Sequence, residues 1–248
     1  MIEKKILSLN FQVKPDIWLS EVLGYKSGQI VKRNKTSNKI KKQNLTFLYA
    51  KVSIKDLKLV SKLCEIGFIP IDTALQFKGN LKNESKKNRK IRIRFAEKED
   101  ENELCKIAMK NFLYSRFHLD PMIPNSVANK LKACWVKNFF LGNRGDEMII
   151  AEMEKKICGF LLLMNNMNMN LIIDLICVDR NFHKKGIAKM MIHFAKNKLN
   201  FNKTNKQKLV VGTQLLNIPS IKLYQSLGLK IVSSQFILHY HKPIRNQI

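Results

Sequence analysis

The segment from Leu171 to Gly228 constrains this chain more than any other. Leu171-Ile-Ile-Asp-Leu-Ile-Cys-Val178 is apolar except at Asp174, and so short and apolar a run reads as a strand buried on both faces. Five residues after Val178 the chain reaches His183-Lys-Lys-Gly-Ile-Ala188, which opens a lysine-rich helix running to about Leu199. Leu209-Val-Val-Gly-Thr213 then supplies a second strand, and Asn217 to Gly228 a second helix. Strand, turn, helix, strand and helix follow with little slack, an order that suggests a site for a phosphate-bearing ligand.

The turn explains why. Gly186 and the small Ala188 let backbone N–H groups converge on one point at a helix N-terminus, where an anion is favoured. Lys184 and Lys185 either add charge there or point to solvent. Competing chemistries lack their residues. The chain has no Gly-x-Gly-x-x-Gly, Gly-x-x-x-x-Gly-Lys-Ser/Thr, His-Glu-x-x-His or Gly-x-Ser-x-Gly, which removes the usual signatures of dinucleotide folds, P-loops, zinc hydrolases and serine esterases. Five scattered cysteines form no Cys-x-x-Cys pair, so neither a disulfide framework nor a metal site is expected, and a reducing cytoplasm fits best.

A formal charge of +26 would by itself argue for nucleic acid. Only eight of the 45 basic residues are arginine, however, whereas guanine reading and phosphate clamping favour arginine forks. Nucleic acid is therefore not the expected partner. Nor is any apolar stretch long enough to span a membrane, and the residues after Met1 do not resemble a secretion signal, so a soluble, unexported protein is expected.

Residues 1–80 read as a small α+β unit, in which Leu57, Val60, Leu63 and Cys64 fall at helical spacing before Gly67. Lys26 to Lys42 carries seven basic residues and no acid, as an exposed hairpin or loop would. The polar segment 81–90 reads as a linker to a second domain, 91–248. From Ile91 the predicted order is β-α-α-β-β-β-α-β-α-β, ending in one or two strands between Lys230 and Tyr240.

Val178-Asp-Arg-Asn-Phe-His-Lys-Lys-Gly-Ile-Ala188 resembles the acyl-CoA-binding motif of the GCN5-related N-acetyltransferases (GNAT), with His183 where that family has Arg or Gln. Asn217-Ile-Pro-Ser-Ile-Lys-Leu-Tyr-Gln-Ser-Leu-Gly-Leu229 resembles its second motif, with Ser220 for Ala and Leu229 for Phe. Over almost the whole chain, Trp18 to Gly28, Gly67 to Thr73 and Ser115-Arg-Phe-His-Leu-Asp-Pro121 look like the TDP-fucosamine acetyltransferase group, which acetylates a nucleotide-linked 4-amino-4,6-dideoxy sugar.

The resemblance implies an α+β fold, with a splayed mixed sheet flanked by helices and a smaller N-terminal domain, and acetyl-CoA as cosubstrate. It implies that Ile176, Cys177 and Val178 hold the pantetheine arm, that His183, Lys184, Lys185, Gly186, Ile187 and Ala188 bind the pyrophosphate, and that Asn217 holds the arm while capping its helix. Tyr224 is implied as proton donor to the departing thiolate, against the alternative of a helix residue packed on the sheet. Asp174 is a candidate base, or equally a hydrogen-bonding anchor within its strand. Arg116, His118 and Asp120 are expected to face a sugar nucleotide, with an ion-paired turn as the alternative. The acceptor is then the amine of a nucleotide sugar for surface-polysaccharide synthesis, or else a protein N-terminus, lysine, polyamine or other small amine. A homodimer is compatible with this reading. A reading from another class is a non-catalytic basic module that binds nucleic acid.

Overall fold

Alternating and fully apolar runs become ten strands of one sheet in the computed structural model, which describes residues 2–32, 45–81, 88–165, 170–199 and 207–243. The strands are β1 (Phe11–Pro15), β2 (Ser27–Lys32), β3 (Phe47–Ser53), β4 (Ile69–Gly79), β5 (Ile91–Phe95), β6 (Glu147–Met153), β7 (Lys156–Asn165), β8 (Leu171–Val178), β9 (Leu209–Gln214) and β10 (Lys230–His241). Their order across the sheet is β1-β2-β3-β10-β4-β9-β8-β7-β6-β5. The helices are α1 (Ile2–Ser8), α2 (Ile17–Leu23), α3 (Leu57–Glu65), α4 (Glu101–Asn111), α5 (Asn125–Phe140), α6 (Ile187–Lys198) and α7 (Ile218–Ser226).

From Ile91 the elements follow the predicted order, and the closing segment is a single strand, β10. The β6–β7 hairpin turns on Glu154 and Lys155, both at positive φ, as a two-residue turn matched to strand twist requires. Of the basic segment 26–42, Ser27–Lys32 is β2, while residues 33–44 lie outside the described residues.

Strand pairing runs across the sequence division at 81–90. β4 inserts between β10 and β9, and β10 in turn lies between β3 and β4, so residues from both segments share one sheet. The reason is an internal repeat. Asp56 and Asn217 cap α3 and α7, and each is followed eleven residues later by a positive-φ glycine, Gly67 or Gly228. β3-α3-β4 thus corresponds to β9-α7-β10, and the two copies exchange their last strands. Each copy also begins with a short parallel pairing, Ser27–Gln29 on Phe47–Tyr49 and Leu171–Ile173 on Leu209–Val211. Leu63 occupies in the first copy the place of Tyr224 in the second.

Helices α1, α3, α6 and α7 pack on one face of the sheet, while α2, α4 and α5 pack on the other. Among the described residues no helix is long and apolar enough to cross a membrane. The feature that positions the site is an opening in the middle. β8 pairs with β7 from Val178 to Leu171 but with β9 only over Leu171–Ile173. The break falls at a bulge, where Leu162 faces Leu175 and Leu163 faces Ile173, leaving Asp174 as the extra residue. A bulge bends its strand and increases local twist, which separates the remainder of β8 from β9.

Candidate active site

Beyond the bulge, β8 packs on both sides. Leu175 and Cys177 join the core under α4 and α5, whereas Ile176 and Val178 pack with α6 and α7. Among the described residues, the edge of Ile176 to Val178 that faces β9 has no strand partner, so an extended ligand can add to it as a strand would.

At the end of β8 the chain turns over Asp179 to Gly186. Asp179 caps a short 3-10 turn by accepting from the Asn181 N–H at 2.9 Å, and the Asn111 side chain accepts from the Arg180 N–H at 3.0 Å. Arg180 Nη2 donates to the Lys110 carbonyl at 2.6 Å, tying the turn to the C-terminus of α4. His183 Nε2 donates to the Val178 carbonyl at 2.9 Å, so its ring closes the loop. Lys184 (φ 61) and Gly186 (φ 78) are both left-handed, which directs the backbone into α6. Among the described residues no side chain caps that helix, and a Cβ built on Gly186 would meet nothing within 4 Å. The N–H groups of Ile187 and Ala188 therefore open an uncrowded helix N-terminus, suited to an anion. Lys184 and Lys185 are exposed beside it.

Asn217 Oδ1 accepts from the Ser220 N–H at 3.2 Å and so caps α7 at the end of β9. Tyr224, on the buried side of α7, is 2 % exposed and its ring centroid lies 5.6 Å from that of Phe77. Burial pushes its phenol pKa well above the ordinary value, against a smaller opposing effect of a hydrogen bond with Ser220, so it stays protonated at neutral pH.

Asp174 faces the α5 side. Its carboxylate takes a two-pronged pair from Arg144, Nε to Oδ2 and Nη2 to Oδ1 at 2.6 Å each, and Oδ2 also accepts from Trp135 Nε1 at 2.9 Å. A carboxylate engaged by three donors, two from one guanidinium and one from an indole, has the geometry of an anchor rather than of a proton acceptor.

The three residues expected to face an acceptor divide. Asp120 is buried and accepts from His239 Nδ1 at 2.6 Å and His241 Nε2 at 2.8 Å. Burial would raise its pKa, but these bonds and one from the Met122 N–H outweigh it and hold the carboxylate well below its usual range. Burial lowers the His239 pKa to about 4, so the ring is neutral at pH 7. Its Nε2 then accepts from Arg116 Nη1 at 3.5 Å. Asp120 thus positions Arg116 through His239, and the guanidinium carbon lies 3.8 Å from the Tyr49 ring centroid. The donor atoms of Asp120, His239 and His241 lie within 4.8 Å of one another, close enough to hold a cation. The hydrogen bonds already join them, and Arg116 brings positive charge to the far side of His239. His118 is elsewhere, bonded to Ser115 Oγ at 2.6 Å and Asn129 Oδ1 at 2.9 Å. It lines a recess of about 710 Å³ between α4, α5 and Asp179–Asn181.

Sequence reading missed two residues. Lys132 on α5 is 6 % exposed, and its Nζ lies 4.6 Å from the Trp135 ring and 4.8 Å from the Phe112 ring. Asp72 on β4 holds a buried carboxylate oxygen, Oδ2, without a hydrogen-bond partner among the described residues. Burial raises its pKa against the lowering effect of the Thr73 and Leu216 N–H groups. Asp72 lies opposite Ile237, and Ile237 opposite Lys51, so all three side chains emerge on the α2–α5 face.

A parallel pair that splays at a bulge, beside an uncapped helix N-terminus, defines an acyl-CoA transferase fold. The solved structure of a GCN5-related N-acetyltransferase from Sphaerobacter thermophilus superposes with a TM-score of 0.59 at 11% identity, covering 94% of this chain and 76% of that one. A tandem GNAT protein from the clavulanic acid biosynthesis pathway gives 0.58 at 7% identity, covering 88% and 76%. Residues 107–229 match the Acetyltransferase (GNAT) family, and this part of the chain belongs to it. The spore coat polysaccharide biosynthesis protein SpsD of Bacillus subtilis is 30% identical over 141 residues, which are 56% of this chain and 47% of SpsD. The chain thus matches about half the length of that relative.

Proposed function

We propose that this chain is an acetyl-CoA-dependent N-acetyltransferase whose acceptor is the amine of a nucleotide-linked 4-amino-4,6-dideoxy sugar used in surface-polysaccharide synthesis. The observation that carries the reaction class is the opening between β8 and β9 with the uncapped N-terminus of α6 at its end. The name of the relative SpsD supports polysaccharide synthesis as the setting.

When bound, acetyl-CoA supplies an activated thioester. The N–H groups at Gly186 to Ala188 fit its pyrophosphate, because they are free of a side-chain cap and uncrowded. The free edge of Ile176 to Val178 aligns the pantetheine arm and polarises the carbonyl, with Asn217 fixing the start of α7 opposite. Tyr224, kept protonated by burial, donates the phenol proton to the leaving thiolate. Asp174 serves as anchor, and Asp72 replaces it as the carboxylate that receives the amine's proton, directly or through water. Residues 91–248 carry the acyl-CoA machinery. Residues 1–80 contribute Tyr49, Lys51 and Asp72 to the acceptor side, and 81–90 connect the two.

Release of free CoA thiol, followed with TDP-linked 4-amino sugars, peptides and polyamines as alternative acceptors, tests the proposal. Turnover is expected with the nucleotide sugars. Brisk acetylation of peptides or polyamines with none of any nucleotide sugar would overturn it.

A further inference from the structure

Lys132 is a buried cation whose nearby carboxylate, Asp174, is already held by Arg144. Among the described residues no hydrogen bond or ion pair reaches its Nζ, which is flanked by the Trp135 and Phe112 rings. Ring faces offset part of the cost of burying an ammonium, but an apolar side chain would pack there without that cost.

Its surroundings are positive. Arg144 lies over the same indole, 4.5 Å from the ring centroid, but its Nε and Nη2 are committed to Asp174. Arg116 lies over Tyr49 at 3.8 Å and Phe117 at 4.4 Å. Lys51, two residues along β3 from Tyr49 and on the same face, retains exposed surface. Beside these, on β4 and β9, Gln76 and Gly212 are exposed, so this face of the sheet is open next to the cationic wall.

We propose that Lys132, with Arg116 and Lys51, binds a phosphate group of the acceptor on the α5 face of the sheet. The proposal rests on the acetyltransferase reading and adds to it the residues that recognise the acceptor's charge. Lys132, Arg116, Arg144 and Lys51 gather here, while Asp174 is engaged by Arg144, Asp120 by His239 and His241, and Asp16 by the Tyr49 hydroxyl. Among the described residues here, that leaves Asp72 as the carboxylate not held by a side chain; the cations exceed what a single carboxylate ligand would need and match a diphosphate. The depressed pKa of Lys132, about 8, agrees with burial first and then repulsion from Arg116 and Arg144, eased by Asp174. Partial desolvation and the same two arginines lower the Lys51 pKa as well. A bound phosphate would reverse both effects.

The test is calorimetric titration of the full chain with inorganic pyrophosphate, thymidine diphosphate and thymidine, with CoA saturating so that the turn at Gly186 is already filled. Wild type is expected to bind both diphosphates and to bind thymidine far more weakly. Lys132→Met should weaken the diphosphates at least tenfold, Lys132→Arg should largely restore them, and CoA affinity should stay the same in all three. Equal diphosphate affinity in wild type and Lys132→Met, or none in wild type, overturns the proposal. Should Lys132→Met fail to hold CoA, Lys51→Ala at its exposed position carries the test, and an unchanged diphosphate affinity there counts against the site. The two readings fail separately. Turnover of nucleotide amino sugars with an unchanged KM in Lys132→Met would remove the phosphate site and leave the acceptor reading standing. Lys132-dependent diphosphate binding without turnover of any nucleotide amino sugar would do the reverse.

Discussion

If Lys132 is held for a ligand, the unliganded fold should be more stable without its charge. Its pKa falls from 10.5 to about 8 on folding. At about 1.36 kcal/mol per pKa unit, the charged form destabilises the fold by about 3 kcal/mol. Both states are protonated below pH 8, so that cost is fully present at pH 7. Between about pH 8 and 10.5 the folded protein sheds the proton first, the unfolded chain binds more protons, and stability rises with pH. Lys132→Met keeps the packing on Phe112 and Trp135 and removes the charge. In urea unfolding at pH 7 the variant should therefore exceed wild type by about 2–3 kcal/mol, and near pH 9.5 the advantage should fall to about half or less. Cys177, on whose thiol the Lys132 charge acts, has its pKa pushed up to about 12 by burial and stays protonated in both proteins at these pH values, so the difference isolates Lys132. A less stable variant at pH 7, or an advantage that does not change with pH, would refute the reasoning.

Three other perturbations separate roles at the site. Tyr224→Phe should lower kcat about 10²-fold or more while leaving the acetyl-CoA Kd unchanged, as single-turnover kinetics with equilibrium binding would show; full rate under chemistry-limited conditions removes the proton-donor role. Asp174→Asn should cost about 1–3 kcal/mol in urea unfolding, because Arg144 loses its partner while keeping some solvent exposure, with turnover at low temperature within a few fold of wild type. Collapsed turnover with intact stability would instead make Asp174 the base. Gly186→Ala meets no steric obstacle, so its cost comes from the φ of 78°, about 1–2 kcal/mol, and it should weaken CoA binding measured by calorimetry; unchanged CoA affinity would remove the turn from the cofactor site.

The parts of this fold that sequence reveals are those decided locally. The apolar run of β8, the glycine at the start of α6 and the Asn217-to-Gly228 spacing each lie within a dozen residues, and each became the expected element. The exchange of β4 and β10 is a pairing across more than 150 residues, so composition at 81–90 suggests a boundary that the sheet does not respect. Its signal was available in the shared spacing from Asp56 to Gly67 and from Asn217 to Gly228. Asp174 looked equally suited to base or anchor because its partner, Arg144, is 30 residues earlier in an exposed-looking loop. Lys132 resembles any surface lysine by type, yet it stands four residues after Ala128 and three before Trp135, on the buried stripe of α5. His118 lies apart from Arg116 and Asp120 because its ring is bonded to Ser115 and Asn129.

In the proposed reaction the β8–β9 opening delivers an acetyl group to an amine carried by a phosphate-bearing acceptor. The most direct measurement is kcat/KM for acetyl transfer to a TDP-linked 4-amino-4,6-dideoxy sugar, set against the same amino sugar without its nucleotide. The proposed phosphate site predicts a preference of about 100-fold or more for the nucleotide form, since two or more phosphate contacts are each worth about 1.5–3 kcal/mol. Equal values for the two sugars, or transfer to neither, would contradict it.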